Sequence, residues 1–201
     1  MDRLTLYTNP MSRGRIARWM MEELGQPYDT VVVDFGPAMK GDYRRINPMG
    51  KVPALTHGSR IVTEGAAICT YLADAFPQAG LMPQDRSSFY RWMFFGAGPL
   101  EAAITDRALK VEVPPDRAGT VGYGSFDLMV DTLELAASTG PYLCGDQFTA
   151  ADVYVGSQIG WGLQFGTLPV RPAFQAYWDR LKDRPAHLRA AQLDNALIKK
   201  D

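Results

Sequence analysis

The chain has few residues of the kinds that bind metals or form disulfides. Its 201 residues include two cysteines, Cys69 and Cys144, and two histidines, His57 and His187. The cysteines are far apart in the sequence and lack the short spacing of a zinc site or a redox motif. We therefore expect no metal, and we expect both thiols to be inert and buried rather than nucleophilic.

The sequence also lacks an excess of charge of either sign. Lysine and arginine number 21 against 22 aspartate and glutamate residues, which gives a formal net charge of -1. Such a chain has no positive field to hold a nucleic acid or an anionic membrane, so neither partner is expected. The sequence starts with Met1-Asp2-Arg3-Leu4 and shows no basic-then-apolar leader pattern, and we expect a cytoplasmic location.

Short strands and helices alternate in the first 77 residues. A strand pattern at Leu4–Tyr7 precedes a helix with one apolar stripe, and Tyr28–Val33 predicts a second strand. The helix stripe consists of Ile16, Trp19, Met20 and Leu24. Val52–Leu55 and Arg60–Thr63 flank a short turn and predict an antiparallel pair, after which a helix runs from Glu64 to about Ala75. We predict an α/β domain over residues 1–77.

The rest of the chain is predicted to be helical. Residues 77–87 have the composition of a linker, and no strand pattern competes with the helical stripes that follow them. Gly96, Gly98 and Pro99 interrupt the first helix and predict a kink or break near Phe95, because an interior proline removes a backbone hydrogen bond. We predict an all-α domain over residues 87–201.

Two short segments of the first domain have features of a binding site. Pro53 follows a glycine-containing loop, and a cis Val52–Pro53 bond would turn the Val52 backbone outward to pair with an extended peptide; a trans edge-strand proline is the alternative. Glu64 and Gly65 place a carboxylate and an unobstructed amide at a helix N-terminus. Such a corner binds ammonium and anionic groups, and it also favours the first helical turn.

Several motifs in this order resemble those of one known family. Asn47–Leu55, Thr63–Ile68 and Tyr71–Asp74 resemble the glutathione-binding half of the cytosolic glutathione transferases, particularly the bacterial beta-like members. Tyr142–Asp152 resembles the family's helix-start signature, although capping alone also explains Thr149 and Asp152. The resemblance implies a thioredoxin-like N-terminal domain with a cis proline, an all-α C-terminal domain, a homodimer, and glutathione as cosubstrate.

The resemblance also implies which residues bind glutathione and activate its thiol. The tripeptide would be held by Lys51, Val52, Pro53, Glu64 and Gly65. A free thiol is mostly protonated at neutral pH, so catalysis needs a hydrogen-bond donor that stabilises the thiolate. Ser12, at the expected N-terminus of the first helix, is the first candidate, and Tyr7, Thr8 and Asn9 are reserves. A plain helix-capping role for Ser12 remains open.

A neighbouring apolar site would accept the electrophilic cosubstrate. Its candidate residues are Met11, Phe95, Glu101, Trp161 and Phe165. Glu101 falls where beta-class members have a histidine. Four glycines between residues 156 and 166 either leave room for a ligand or allow close helix packing. Five arginines lie near the predicted site, and we expect them to form a solvated face; the alternative is that they steer the anionic tripeptide inward. They are Arg13, Arg15, Arg18, Arg44 and Arg45.

The predicted function is that of a glutathione transferase in detoxification, acting on a hydrophobic small-molecule electrophile. Beta-class members carry a cysteine where this chain has Ser12 or Arg13. This chain therefore lacks the thiol that would form a mixed disulfide with glutathione at that position. A glutathione-dependent disulfide reductase is one alternative, and a non-catalytic binding module of the same fold is another.

Overall fold

The computed structural model describes residues 2–198. The chain forms two units, of which the first comprises the chain up to Leu81 together with the segment that begins at Asp183. The second unit spans Met82–Lys182. The predicted domain ranges, 1–77 and 87–201, include residues 1 and 199–201, which lie outside the described part, and they stay a prediction.

The first unit contains a mixed four-stranded sheet in the order β2-β1-β3-β4. Its strands are β1 (Leu4–Thr8), β2 (Tyr28–Val32), β3 (Ala54–His57) and β4 (Arg60–Thr63). β1 and β2 are parallel, whereas β3 is antiparallel to both of its neighbours. Two helices, α1 (Gly14–Leu24) and α2 (Gly65–Ala75), follow β1 and β4. This order of elements confirms the predicted α/β thioredoxin-like fold.

Helix α8 (Pro185–Ala196) belongs to the first unit and packs on α1. The predicted apolar stripe of α1 is fully buried. Helix α8 contributes His187, whose ring lies edge-on to Trp19 with centroids 4.7 Å apart. Arg184, just before α8, forms a two-pronged ion pair with Glu23, at 2.7 and 2.9 Å. Apolar and charged contacts therefore join α8 to α1.

The second unit is built from helices, as predicted. The intervening helices are α3 (Arg86–Phe95), α4 (Glu101–Ala108), α5 (Phe126–Ser138), α6 (Ala150–Phe165) and α7 (Pro172–Leu181). A π-helical turn at Gly96–Leu100 contains Pro99 and links α3 to α4, so the helix is distorted near Phe95 but is not broken there. Within residues 2–198, no helix has the length and apolar character needed to cross a membrane.

The N-terminus of α6 is fixed by the buried carboxylate of Asp152. Thr149 and Asp152 form the predicted capping box. Asp152 also accepts hydrogen bonds from the backbone N–H of Leu143 at 2.8 Å and from the hydroxyl of Tyr177 at 2.6 Å. One carboxylate thus ties together the loop before α6, the helix itself and α7, which supports the structural interpretation of this motif.

Candidate functional site

The strand register brings three separate segments to one end of the sheet. Tyr7 pairs with Ala54, and Ala54 pairs with Thr63. The residues that follow β1, precede β3 and follow β4 therefore share that end. They are the loop 9–13, the pair Val52–Pro53 and the pair Glu64–Gly65, so the structure gathers the predicted thiol-activating and tripeptide-binding segments in the first unit.

The buried residue Asn9 holds the loop between β1 and α1. Its Nδ2 donates to the carbonyl of Val33 at 3.0 Å, and its Oδ1 accepts from the N–H of Met11 at 2.9 Å. Both ends of the amide are therefore used to shape the loop. This arrangement favours a scaffolding role for Asn9 over its reserve role as a thiolate donor.

The two other reserve residues occupy different environments. The Thr8 hydroxyl is fully buried and has no hydrogen-bond partner among the described residues. Tyr7 is half-buried, and its ring packs against that of Tyr43 with centroids 5.8 Å apart. A buried hydroxyl cannot reach a ligand, which leaves Ser12 and Tyr7 as the accessible hydroxyl groups of this segment.

The hydroxyl of Ser12 makes two hydrogen bonds at the start of α1. It donates to the carbonyl of Asn9 at 2.7 Å and accepts from the N–H of Gly14 at 2.9 Å. The second bond satisfies one of the unpaired amides of the helix N-terminus. Ser12 therefore caps α1 in this structure, and its single proton must leave the Asn9 carbonyl before it can be donated to a ligand.

The Val52–Pro53 peptide bond is cis, as predicted. The loop before it is held through the carbonyl of Lys51, which accepts from Asn47 Nδ2 and from the Tyr43 hydroxyl, each at 2.7 Å. Burial, together with the nearby Tyr7, raises the pKa of Tyr43 to about 12, so this hydroxyl keeps its proton and remains a donor. The backbone of Val52 is thus presented by a fixed loop just before β3 begins.

Glu64 adopts a backbone conformation that is unusual for a residue with a side chain. Its φ is 68°, in the left-handed region, and it stands immediately before α2 as an exposed residue. Conformations of this kind cost about 1–3 kcal/mol and are concentrated at ligand sites. The exposed Lys51 side chain and the half-buried Gly65 belong to the same group of predicted binding residues.

The five residues predicted for the apolar site are divided between the two units. Met11 belongs to the first unit and is 68% exposed, whereas the second unit supplies Phe95, Glu101, Trp161 and Phe165. Phe165 is also 68% exposed, and the other three residues are half-buried. The apolar site stays a prediction.

The glycines of α6 are explained by packing rather than by space for a ligand. A Cβ on Gly156 would lie 2.5 Å from Leu181, and one on Gly160 would lie 2.7 Å from the ring of Trp178. A Cβ on Gly162 would lie 2.5 Å from Leu168, while Gly166 ends the helix with φ 68°. Of the two explanations that the sequence leaves open, close packing is the one that the structure supports for these positions.

The expectation of a solvated arginine face is wrong for Arg18. Arg18 is buried and donates to Asp194 at 2.7 Å, and also to the hydroxyl groups of Tyr28 and Thr30, each at 3.1 Å. Arg15 is half-buried and bonds to the Pro10 carbonyl and to Asn195. The partners in α8 lie more than 170 positions further along the chain, and helical periodicity carries no information about them.

The side chains do not suggest a metal centre. Among residues 2–198, no three histidine, cysteine, aspartate or glutamate side chains are grouped so that they could hold a metal ion. Both cysteines are free thiols, and burial raises the pKa of Cys69 to about 12 and that of Cys144 to about 11. The absence of a resident metal stays a prediction.

Comparison with known proteins identifies relatives along almost the whole chain. Residues 11–75 match the family model described as glutathione S-transferase, N-terminal domain. Glutathione S-transferase GstA of Escherichia coli O157:H7 is 27% identical over 194 residues, covering 90% of this chain and 94% of that protein.

Solved structures show the same correspondence. A glutathione transferase homologue from Sulfitobacter, with bound glutathione, is 27% identical and superposes with a TM-score of 0.75 over 98% of this chain and 100% of its own. A beta-class enzyme from Sphingomonas chungbukensis, 24% identical, shares the fold with a TM-score of 0.75 over 94% of this chain and 98% of its own. The chain is therefore similar to glutathione S-transferases along almost its whole length, and residues 11–75 carry that family's N-terminal domain.

Proposed function

We propose that this protein is a glutathione transferase that joins the glutathione sulfur to an electrophilic carbon of a hydrophobic cosubstrate. The thiolate supplies the electron pair of the new S–C bond, and the leaving group, such as a halide, departs with the electrons of the bond that breaks. The observation that carries the proposal is the strand register, which gathers the Ser12 loop, Val52–Pro53 and Glu64–Gly65 at one end of the sheet.

The binding roles follow from the chemistry of these groups. Val52 precedes the first residue of β3, so its backbone lies outside the strand ladder and is available to pair with the cysteinyl unit of an extended tripeptide. The Glu64 carboxylate suits the α-ammonium group of the γ-glutamyl end, and the amide of Gly65 at the start of α2 suits its carboxylate. Lys51 supplies a positive charge for the other end of the peptide.

Ser12 is the proposed thiolate donor. The Gly14 N–H bond to its oxygen polarises the hydroxyl, and the N-terminus of α1 adds positive potential at the same place. A thiolate is a charged acceptor, and charge-assisted hydrogen bonds are roughly twice as strong as neutral ones. The bound thiolate therefore competes with the neutral Asn9 carbonyl for the Ser12 proton, and the hydrogen bond lowers the pKa of the thiol.

The remaining assignments are part of the same proposal. Met11, Phe95, Glu101, Trp161 and Phe165 form the cosubstrate site. The protein acts in the cytoplasm, in detoxification, as a homodimer. The aromatic side chains of Tyr90 and Phe94 support a homodimer because they lie one turn apart on α3 and are 40% and 73% exposed. Sedimentation of a monomer at micromolar concentration would contradict it.

The test of the transferase proposal is the pH dependence of kcat/KM with glutathione and an aromatic halide. Ser12→Ala should raise the apparent pKa of the bound thiol and reduce kcat/KM roughly tenfold to a hundredfold, less than the loss of a sole donor because the helix N-terminus remains. Its glutathione affinity should stay close to that of the wild type. Tyr7→Phe is the matched control, because it also removes one hydroxyl from the same segment.

The outcomes separate the proposed function from its alternatives. If Ser12→Ala retains wild-type activity while Tyr7→Phe loses it, Ser12 only caps α1 and Tyr7 is the donor. Strong turnover of glutathione mixed disulfides with little conjugation would indicate a disulfide reductase. Glutathione binding without turnover of any electrophile would indicate a binding module.

A further inference from the structure

The side chain of Arg15 connects the Ser12 loop to the last helix of the same unit. Its Nε donates to the carbonyl of Pro10 at 2.5 Å, two residues before Ser12. Its Nη2 donates to Oδ1 of Asn195, near the end of α8, at 2.7 Å. One guanidinium thus binds a loop carbonyl on one side and an α8 amide on the other.

The contact is anchored by a second pair one turn further along α1. Arg18 donates to Asp194, the residue next to Asn195, and both side chains are buried. This pair fixes the end of α8 against α1. Asn195 is exposed, so its side chain contributes little to the core. The described hydrogen bond of that side chain is the one that it accepts from Arg15.

Local hydrogen bonds also restrain the loop between Pro10 and α1, among them the two bonds of the Ser12 hydroxyl. Asn9 accepts from the N–H groups of Met11 and Ser12, and the Ser12 carbonyl accepts from the N–H of Arg15. Pro10 has no N–H of its own, and its carbonyl is held by the charged Arg15 side chain. If Asn195 does not orient the guanidinium, Arg15 can turn towards water and release this carbonyl.

We propose that Asn195 is a positioning residue that acts through Arg15 on the Pro10 carbonyl and so fixes the loop that presents the Ser12 hydroxyl. The inference rests on the proposed role of Ser12 in catalysis. The position of the Ser12 oxygen decides whether its proton reaches a thiolate, and a misplacement of about 1 Å can cost on the order of a hundredfold in rate. The end of α8 therefore contributes to the reactivity of a thiol bound beside the Ser12 hydroxyl.

The test compares Asn195→Ala with Asn195→Asp and with a control on the same pair of helices. The alanine variant removes the acceptor for Arg15, whereas the aspartate variant keeps it. Arg189→Gln is the control, because Arg189 binds Glu22 at 3.2 Å and thus joins α8 to α1 away from the Ser12 loop. The two readouts are amide hydrogen exchange of residues 9–16 in the free protein and the pH profile of kcat/KM.

For Asn195→Ala we expect the amides of Met11, Ser12 and Gly14 to exchange about fivefold faster or more, because the opening of the loop becomes easier. We expect kcat/KM to fall roughly threefold to tenfold, with a raised apparent pKa of the bound thiol, because the donor is displaced rather than removed. Asn195→Asp should restore both readouts, and Arg189→Gln should change neither.

The exchange measurement keeps this inference separate from the proposed function. If the wild type has no transferase activity but Asn195→Ala still loosens the loop, the function is wrong and the structural link through Arg15 holds. If Asn195→Ala matches the wild type in both readouts, or if Arg189→Gln alters the loop equally, Asn195 has no positioning role and the inference fails.

Discussion

The guanidinium of Arg18 and the carboxylate of Asp194 form an ion pair of 2.7 Å whose two side chains are 3% and 1% exposed. Arg18 Nη2 and Asp194 Oδ2 have no hydrogen-bond partner within the described chain. The pair joins α1 to α8 inside the first unit, where water cannot compensate either charge once the other is lost. This geometry determines how substitutions at the two positions affect stability.

Removal of one member of this pair should destabilise the protein much more than removal of both. Arg18→Met and Asp194→Leu should each lower the free energy of unfolding by about 3–5 kcal/mol, because each leaves an uncompensated buried charge. The double variant should recover most of this loss. Urea unfolding measures the change, with the 53%-exposed Arg189 as the comparison, where Arg189→Gln should cost less than about 1 kcal/mol. Additive losses in the double variant would contradict this account.

The Arg18–Asp194 pair also shows where prediction from sequence ends. Strand alternation and helix stripes predict the four strands, the helices α1 and α2, and the helical character of the second unit, because those patterns arise from local burial. The family resemblance predicts the cis Val52–Pro53 bond, and the helical pattern predicts the helix start at Glu64 and Gly65. The pattern of α1 predicts a solvated Arg18 because it does not reveal α8 as a further packing surface, and the partner Asp194 lies 176 positions away. The Ser12 hydroxyl donates its proton to the Asn9 carbonyl, and this contact depends on the loop geometry, which the sequence pattern does not reveal either.

The carboxylate of Asp152 should be essential to the stability of the second unit. Asp152→Ala would leave the Tyr177 hydroxyl and the N–H groups of Leu143 and Thr149 buried without an acceptor. Because each such group costs about 1–3 kcal/mol, we expect a total loss of about 3 kcal/mol or more in urea unfolding. The control Asp127→Ala removes an exposed acidic residue from the first turn of α5 and should cost about 0.3–1 kcal/mol. Equal effects of the two substitutions would refute the special role of Asp152.

Gly14 should not tolerate a methyl group. A Cβ at this position would lie 2.0 Å from the buried Oγ1 of Thr8, so Gly14→Ala should cost about 1–3 kcal/mol of stability through overpacking. Thr8→Ala removes an unpartnered hydroxyl and should be nearly neutral alone, yet it should recover part of the loss in the double variant. Gly98→Ala is the control, because nothing lies within 4 Å and a helical alanine gains about 0.5–1 kcal/mol. Thermal unfolding of the four variants would show no coupling if the contact with Thr8 were unimportant.

The two cysteines should react slowly with iodoacetamide at neutral pH. Burial, with further contributions from the charges of Asp152 and Asp85, raises the pKa of Cys144 to about 11, so its thiolate fraction and alkylation rate should rise with pH up to that value. Burial raises the pKa of Cys69 to about 12, and this fully buried thiol should react only after unfolding. Mass spectrometry of the alkylated protein gives both rates, with the urea-unfolded chain as control. Rapid labelling of folded Cys144 at pH 7 would contradict this prediction and would revive disulfide chemistry through the protein's own thiol.

Glu64 should show a conflict between stability and glutathione binding. Its φ of 68° is strained for a residue with a Cβ but readily adopted by glycine, so Glu64→Gly should raise the free energy of unfolding by about 1 kcal/mol. The same substitution removes the carboxylate that is proposed to bind the ammonium group of glutathione. The KM for glutathione should therefore rise although the protein becomes more stable.

Glu64→Ala is the variant that separates these two effects, because it loses the carboxylate but keeps a Cβ in the left-handed conformation. It should show the same increase in the KM for glutathione as Glu64→Gly, without the gain in stability. Urea unfolding and glutathione saturation curves of the wild type and both variants provide the comparison. If Glu64→Gly is no more stable than Glu64→Ala, the backbone at this position is not strained. If neither variant changes the KM, the carboxylate does not bind glutathione, and the helix start must bind it through the Gly65 amide alone.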